Sequence, residues 1–184
     1  MVRGKKYARD LTRFFVRSGR LKTERRRGWV KKLKLQGAES VADHSYRTAL
    51  MTMVISDSRG LDTAKAVRLA LLHDLPEAVV GDAMPEERSG ARKQTIETKA
   101  IEDLLGDLPS GVRSLYSEAW SEFVDGRTPE AQLVRQLDKL EMATQAWEYA
   151  QDLGDRGSAR EFWSTAKASV TDEGLAELLK LVEI

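Results

Sequence analysis

The stretch LALLHDLPEAVVGD, residues 69–82, has the pattern of an apolar helix, yet His73, Asp74 and Glu77 interrupt it. Unpaired charge is strongly disfavoured in a protein interior, so these groups must face solvent or meet a partner of opposite charge. The chain holds only two histidines. A fold for this sequence has to bring other elements to this helix.

Those elements read as helices. Helical spacing of apolar residues dominates, there are four prolines in 184 residues, and no Val- or Thr-rich alternating run suggests a strand. The expected class is all-α, with about six to eight helices. The length and 41% hydrophobic content suit one core, so a single domain over residues 1–184 is expected. A first helix is expected over about residues 5–18, with Leu11, Phe14 and Phe15 on its apolar side. A structured loop should follow through LKTERRRGWVKKLKLQGAES. Ser40 can cap a second helix to about Ser58, with Val41, Leu50, Met51 and Val54 as its apolar members. A third should run from about Asp62 to Val80, kinked near Pro76. Further helices are expected within 90–105 and 110–124. Thr128, Pro129 and Glu130 then combine cap, first-turn proline and first-turn acid, starting a helix to about Asp152. Two shorter helices should occupy about 157–168 and 172–183. The loop-like GDAMPEERSGAR, just after the His73 helix, is a candidate lid.

The absence of cysteine excludes disulfides, thiolate nucleophiles and Cys-ligated zinc, and it suits a reducing compartment. No apolar run approaches bilayer length, and arginines break the N-terminal apolar patches before a signal peptide could form. A cytoplasmic protein without membrane contact is expected. The formal net charge of +1 conceals an asymmetry. Residues 1–35 carry 14 of the 30 basic residues and only two acids, Asp10 and Glu24. Such a segment either seeks phosphate, docks on the acidic remainder or forms a solvated face.

The remaining histidine, His44, falls near the start of the second helix, and Asp138 falls beside Leu137 on the stripe of Val134 and Met142. Each has an ordinary reading: a hydrogen-bonded core histidine, a surface histidine, a buried salt bridge. Together, His44, His73, Asp74 and Asp138 offer two imidazoles and two carboxylates from three helices. That nitrogen and oxygen set suits one divalent cation, whether manganese, cobalt, iron, nickel, zinc or magnesium.

The order H…HD…D resembles the HD-domain metal-dependent phosphohydrolases. RRRGWV, ESVADHSYR, LLHDLPEAVVGD and QLDKLEMATQAWEYAQ narrow the resemblance to the HD-domain 5′-deoxynucleotidases, from about residue 8 to about residue 165. The resemblance implies an all-α hydrolase that converts deoxyribonucleoside 5′-monophosphates to deoxynucleoside and phosphate. It implies His44, His73, Asp74 and Asp138 as metal ligands. Glu77 and Asp82 would be the catalytic acids, Asp82 being slightly favoured to handle the attacking water. Trp29 would pack on the sugar and disfavour a 2′-hydroxyl. In several relatives an arginine directly precedes this tryptophan and grips the phosphate. Here that position is Gly28, and Arg27, or its neighbours Arg25 and Arg26, is expected to reach the same place. Residues 1–39 would thus contribute to the substrate site, and a homodimer is expected.

Two alternatives stand beside this one. An HD site could act on a cyclic nucleotide or a deoxynucleoside triphosphate. A helical nucleic-acid-binding protein could use residues 1–35, with binding that falls steeply with salt and survives loss of Asp138.

Overall fold

The computed structural model describes residues 2–84, 87, 90–154 and 156–184, and these are all-α with no strand. In chain order the helices are α1 (Val2–Ser18), α2 (Arg27–Lys32), α3 (Val41–Arg59), α4 (Thr63–Leu72), α5 (Glu77–Val80), α6 (Gly90–Leu105), α7 (Ser110–Asp125), α8 (Pro129–Leu153), α9 (Arg156–Ser169) and α10 (Glu173–Leu181). A 3₁₀ turn, Gly19–Lys22, follows α1.

Local chemistry sets several of these boundaries. Ser40 accepts from the Asp43 backbone N–H while Asp43 accepts in return from Ser40, a reciprocal box that starts α3. Gly60 ends it in the left-handed region at φ 65°. Thr128 caps α8 by accepting from Ala131 N–H, with Pro129 in the first turn. The long α8 is the spine of the molecule. Val134 faces a core formed with Leu69, Leu104, Leu105 and Trp120, while Leu133, Leu137 and Leu140 face a second core with Trp29, Trp163 and Leu175.

Four expectations are corrected. The helix drawn through residues 62–80 stops at Leu72, and α5 starts afresh at Glu77. Pro76 has no N–H to give the Leu72 carbonyl, which accepts instead from Leu75 N–H at 3.1 Å; Glu77 N–H likewise reaches Asp74 O at 3.0 Å. His73 and Asp74 therefore sit in a tight turn. Phe15 is exposed, not on the apolar side of α1. On α3, Leu50 and Val54 are exposed as well, and the buried face is Val41, His44, Ser45, Thr48, Ala49, Thr52 and Ser56, most of them small side chains that allow α4 and α8 to approach closely. The loop assigned to residues 21–40 contains the short helix α2, and Arg25 and Ser40 form an isolated bridge across its base. The lid suggested for residues 81–92 includes positions 85, 86, 88 and 89, which lie outside the described residues.

Candidate functional site

Three elements contribute to one cluster, in which His44, His73 and Asp74 close on one another and Asp138 joins through His44. His44 comes from the first turns of α3, His73 and Asp74 from the turn after α4, and Asp138 from the middle of α8. His44 Nε2 lies 3.3 Å from His73 Nε2 and 3.2 Å from Asp138 Oδ1. Asp74 Oδ2 lies 3.2 Å from His73 Nε2 and 3.6 Å from His44 Nε2. His44 is fully buried, while the side chains of Asp74 and Asp138 are partly buried, at 15% and 16% exposure.

The outer nitrogens of both rings are already engaged. His73 Nδ1 faces the Ala70 carbonyl at 2.6 Å, and His44 Nδ1 is paired with Glu141 Oε2. A carbonyl or carboxylate accepts only, so each Nδ1 carries hydrogen and each Nε2 is left pointing inward. Two inward nitrogens and two carboxylates at such distances repel unless positive charge lies among them. The cluster gathers such charge from every side. The His44 imidazole is pushed up to about 10, since Glu141 and Asp138 outweigh burial and the nearby Arg26, both of which oppose its protonation. Arg26 Nη1 donates to Asp74 Oδ2 at 3.1 Å, and Lys139 Nζ lies 3.0 Å from Asp138 Oδ2. The donor set fits a divalent cation, which can take the place of that imidazole proton. Both aspartates therefore have basic partners that helical spacing did not suggest. Arg26 comes from the start of α2, and Lys139 from the residue beside Asp138.

A cavity of about 380 Å³ opens over this cluster, lined among others by Arg26, Trp29, Asp74, Glu77, Asp82 and Asp138. That volume is in the range of small-molecule sites. Glu77 is buried, and its Oε2 has no hydrogen-bond partner among the described residues. Burial, then Asp74 and Asp82, raise its pKa well above the ordinary carboxylate value. Asp82 is differently placed. Its Oδ2 accepts from Arg27 N–H at 2.5 Å and its Oδ1 from Ala83 N–H at 2.8 Å, so the carboxylate ties α2 to the loop after α5.

Arg27 and Trp29 are also located. The Arg27 side chain turns away from the cavity to Glu87, with Nη2 2.9 Å from Oε1. Arg26, at the N-cap of α2, is the arginine that enters. Trp29 is 1% exposed, its Nε1 donating to Glu39 Oε1 at 2.8 Å, with Phe162 4.0 Å away between ring centroids. It is a core residue with one edge in the cavity wall. Gly28 lies beneath this wall, where a Cβ would meet the Phe162 ring at 3.1 Å and require it to shift by a few tenths of an ångström.

Sequence reasoning passed over Glu141 and Lys93. Glu141 stands three residues after Asp138 in QLDKLEM, on the same helix face, and that spacing was a usable signal. Lys93, on α6, lines the cavity near Asp74 and Glu77, and nothing in its local sequence distinguishes it from a surface lysine.

Comparison with known proteins agrees with this geometry. A family model described as HD domain matches residues 18–179. The chain is 37% identical over 178 residues to the 5′-deoxynucleotidase HDDC2 of Homo sapiens, covering 96% of this chain and 86% of the relative. To the HDDC2 of Danio rerio it is 36% identical over 172 residues, covering 93% and 85%. A solved structure of a conserved hypothetical protein from Pyrococcus furiosus superposes with a TM-score of 0.78 at 33% identity, covering 93% of this chain and 98% of that one. The chain belongs to the HD-domain family.

Proposed function

We propose that this HD-domain protein is a metal-dependent 5′-deoxynucleotidase, hydrolysing deoxyribonucleoside 5′-monophosphates to deoxynucleoside and phosphate. The observation that carries the reading is the cluster of His44, His73, Asp74 and Asp138, whose two aspartates line a cavity of small-molecule size while the two imidazoles lie buried behind them. Relatives named 5′-deoxynucleotidase match nearly the whole chain.

His44, His73, Asp74 and Asp138 hold the cation, with manganese, cobalt, iron, nickel, zinc and magnesium as candidates. When bound, a divalent ion lowers the pKa of water and neutralises phosphate oxygens. Glu77 handles the proton: it is buried in the cavity wall with an oxygen that has no hydrogen-bond partner among the described residues, and burial raises its pKa above the ordinary carboxylate value. Asp82, whose oxygens are occupied by backbone donors, orders the cavity wall. This division reverses the slight preference for Asp82 in the family pattern. Arg26 takes the phosphate contact, supported by Lys93 and Lys139, since all three line the cavity and Arg27 does not. Trp29 and Phe162 form the wall against which a deoxyribose would pack.

Several residues of the basic N-terminal segment are spent on internal pairs. Arg13 and Arg17 bind Asp107, Arg27 and Lys31 bind Glu87, and Lys32 binds Glu161. Docking on the acidic remainder explains the charge asymmetry better than a nucleic-acid surface does.

No helix among the described residues is long and apolar enough to cross a membrane, and the absence of cysteine favours a cytoplasmic setting. A homodimer is favoured by Tyr46, Leu50, Met53 and Val54, an exposed apolar stripe on α3. The activity is tested by phosphate release from dAMP by metal-loaded wild-type protein and Asp138→Ala. Release by the first and none by the second is expected; equal release by both refutes the assignment.

A further inference from the structure

We propose that Glu141 is a positioning residue that holds His44 in the one tautomer able to bind a divalent cation, with Arg47 fixing Glu141 in turn. The inference rests on reading His44 as a metal ligand.

Glu141 is fully buried, and both its oxygens are taken. Oε2 pairs with His44 Nδ1, and Oε1 accepts from Arg47 Nε at 2.9 Å. Arg47 is itself fixed, since Nη1 reaches both oxygens of Glu148 at 2.8 Å and Nη2 reaches Gln145 Oε1 at 2.5 Å. The register of two helices produces this chain of contacts. His44 and Arg47 are one turn apart on α3, while Glu141, Gln145 and Glu148 fall at successive turns on the facing side of α8.

A carboxylate has no hydrogen to give, so the ring nitrogen facing it must keep its own. That commits Nδ1 of His44 to N–H and reserves Nε2 for the cation. The corresponding acceptor for His73 is the neutral Ala70 carbonyl. A charged acceptor raises the basicity of its imidazole more than a neutral one does. His44 is accordingly the stronger ligand of the two, and its strength originates in Glu141.

The substitution Glu141→Gln makes the role measurable. His44 Nδ1 and Arg47 Nε are both donors, and a glutamine amide offers one oxygen between them. If that oxygen turns to Arg47, the amide NH₂ faces the ring, drives hydrogen onto Nε2 and blocks the cation. Removing the competitor should then restore the glutamine oxygen to His44.

The experiment is equilibrium titration of the metal-free full chain with Co²⁺ alone, followed by visible absorption, for wild type, Glu141→Gln and Glu141→Gln/Arg47→Met. Glu141→Gln should bind Co²⁺ roughly 10–100-fold more weakly, with a shifted spectrum and a thermal midpoint near that of metal-free wild type. The double variant should regain affinity, although it has lost more native contacts. Affinity and spectrum equal to wild type in Glu141→Gln, or no recovery in the double variant, overturns the proposal. If the variants fail to fold, NMR of wild type loaded with Zn²⁺ decides: an Nδ1–H proton of His44 shifted further downfield and exchanging more slowly than that of His73, as a charged acceptor imposes, supports the assignment, and equal or weaker hydrogen bonding at His44 refutes it. Failure of wild type to bind Co²⁺ would instead remove the metal-centre reading, and this inference with it.

Discussion

Nε2 of His44 and Nε2 of His73 face each other across 3.3 Å, each ring held from behind by an acceptor on Nδ1. Such an arrangement stores a binding site for a cation within the folded state, and the unfolded chain has no counterpart. A ligand that binds only the folded state at a hundred times its Kd stabilises it by about 2.7 kcal/mol. Saturating Mn²⁺ or Co²⁺ should therefore raise the thermal midpoint of the metal-stripped protein by roughly 5–10 °C for a chain this size. Asp138→Ala should lose most of that increment. Scanning calorimetry with and without metal checks both.

Glu77 offers an unpartnered buried oxygen where Asp82 offers none. Glu77→Gln keeps the shape and removes the proton exchange, so kcat should fall about 10²–10⁴-fold, with metal affinity little changed. Asp82→Asn should act more on KM than on kcat, because it loosens the tie between α2 and the cavity loop. Steady-state kinetics with dAMP separates the two.

Arg26 and Arg27 are neighbours with opposite destinations. Arg26 is 15% exposed and bound to Asp74, while Arg27 is 39% exposed and bound to Glu87. Arg27→Ala should cost at most about 1 kcal/mol, as exposed ion pairs do, and leave turnover near wild type. Arg26→Ala should raise KM for dAMP and also lower stability, since it strips a buried acid of its partner. A matched pair of denaturant melts and KM values tests the contrast.

This pair also shows where the sequence stops being informative. In RRRGWV, three arginines are chemically equivalent, and only the N-cap position at Arg26 and the six-residue helix after it decide which one enters the cavity. The helix start at Ser40 and that at Thr128 were legible because a cap is a local interaction between residues three apart. That His44, the His73–Asp74 pair and Asp138 come from three different elements was legible for another reason: polar groups on apolar stripes need partners. The end of α4 at Leu72 was not, because Pro76 signals a break without saying how many residues before it the tight turn begins. The exposed Leu50 and Val54 misled because α3 buries threonine, serine and alanine against close neighbours, and hydropathy periodicity gives such residues little weight.

Asp107 accepts from Arg13 Nε at 2.7 Å and from Arg17 Nη1 at 3.0 Å, joining α1 to the end of α6. The hydrogen bond from Arg13 is the main cause of an Asp107 pKa below its ordinary 3.8, with Arg17 adding to it. A depressed carboxylate pKa contributes stability above the unfolded value and loses it as pH falls through the folded value. Asp107→Asn should therefore lower the thermal midpoint at neutral pH, and the gap to wild type should narrow as pH drops below about 3.8. Melts across the acid range measure this.

The central claim is best tested by stripping the purified protein of metal and measuring phosphate release from dAMP, AMP and a cyclic nucleotide, with manganese, cobalt or magnesium restored separately. Metal-dependent release from dAMP, well above that from AMP and absent for the cyclic nucleotide, is the predicted result, and the preference would report the Trp29 wall against a 2′-hydroxyl. Undiminished release from the metal-free protein, or none from dAMP with any metal, would contradict the account.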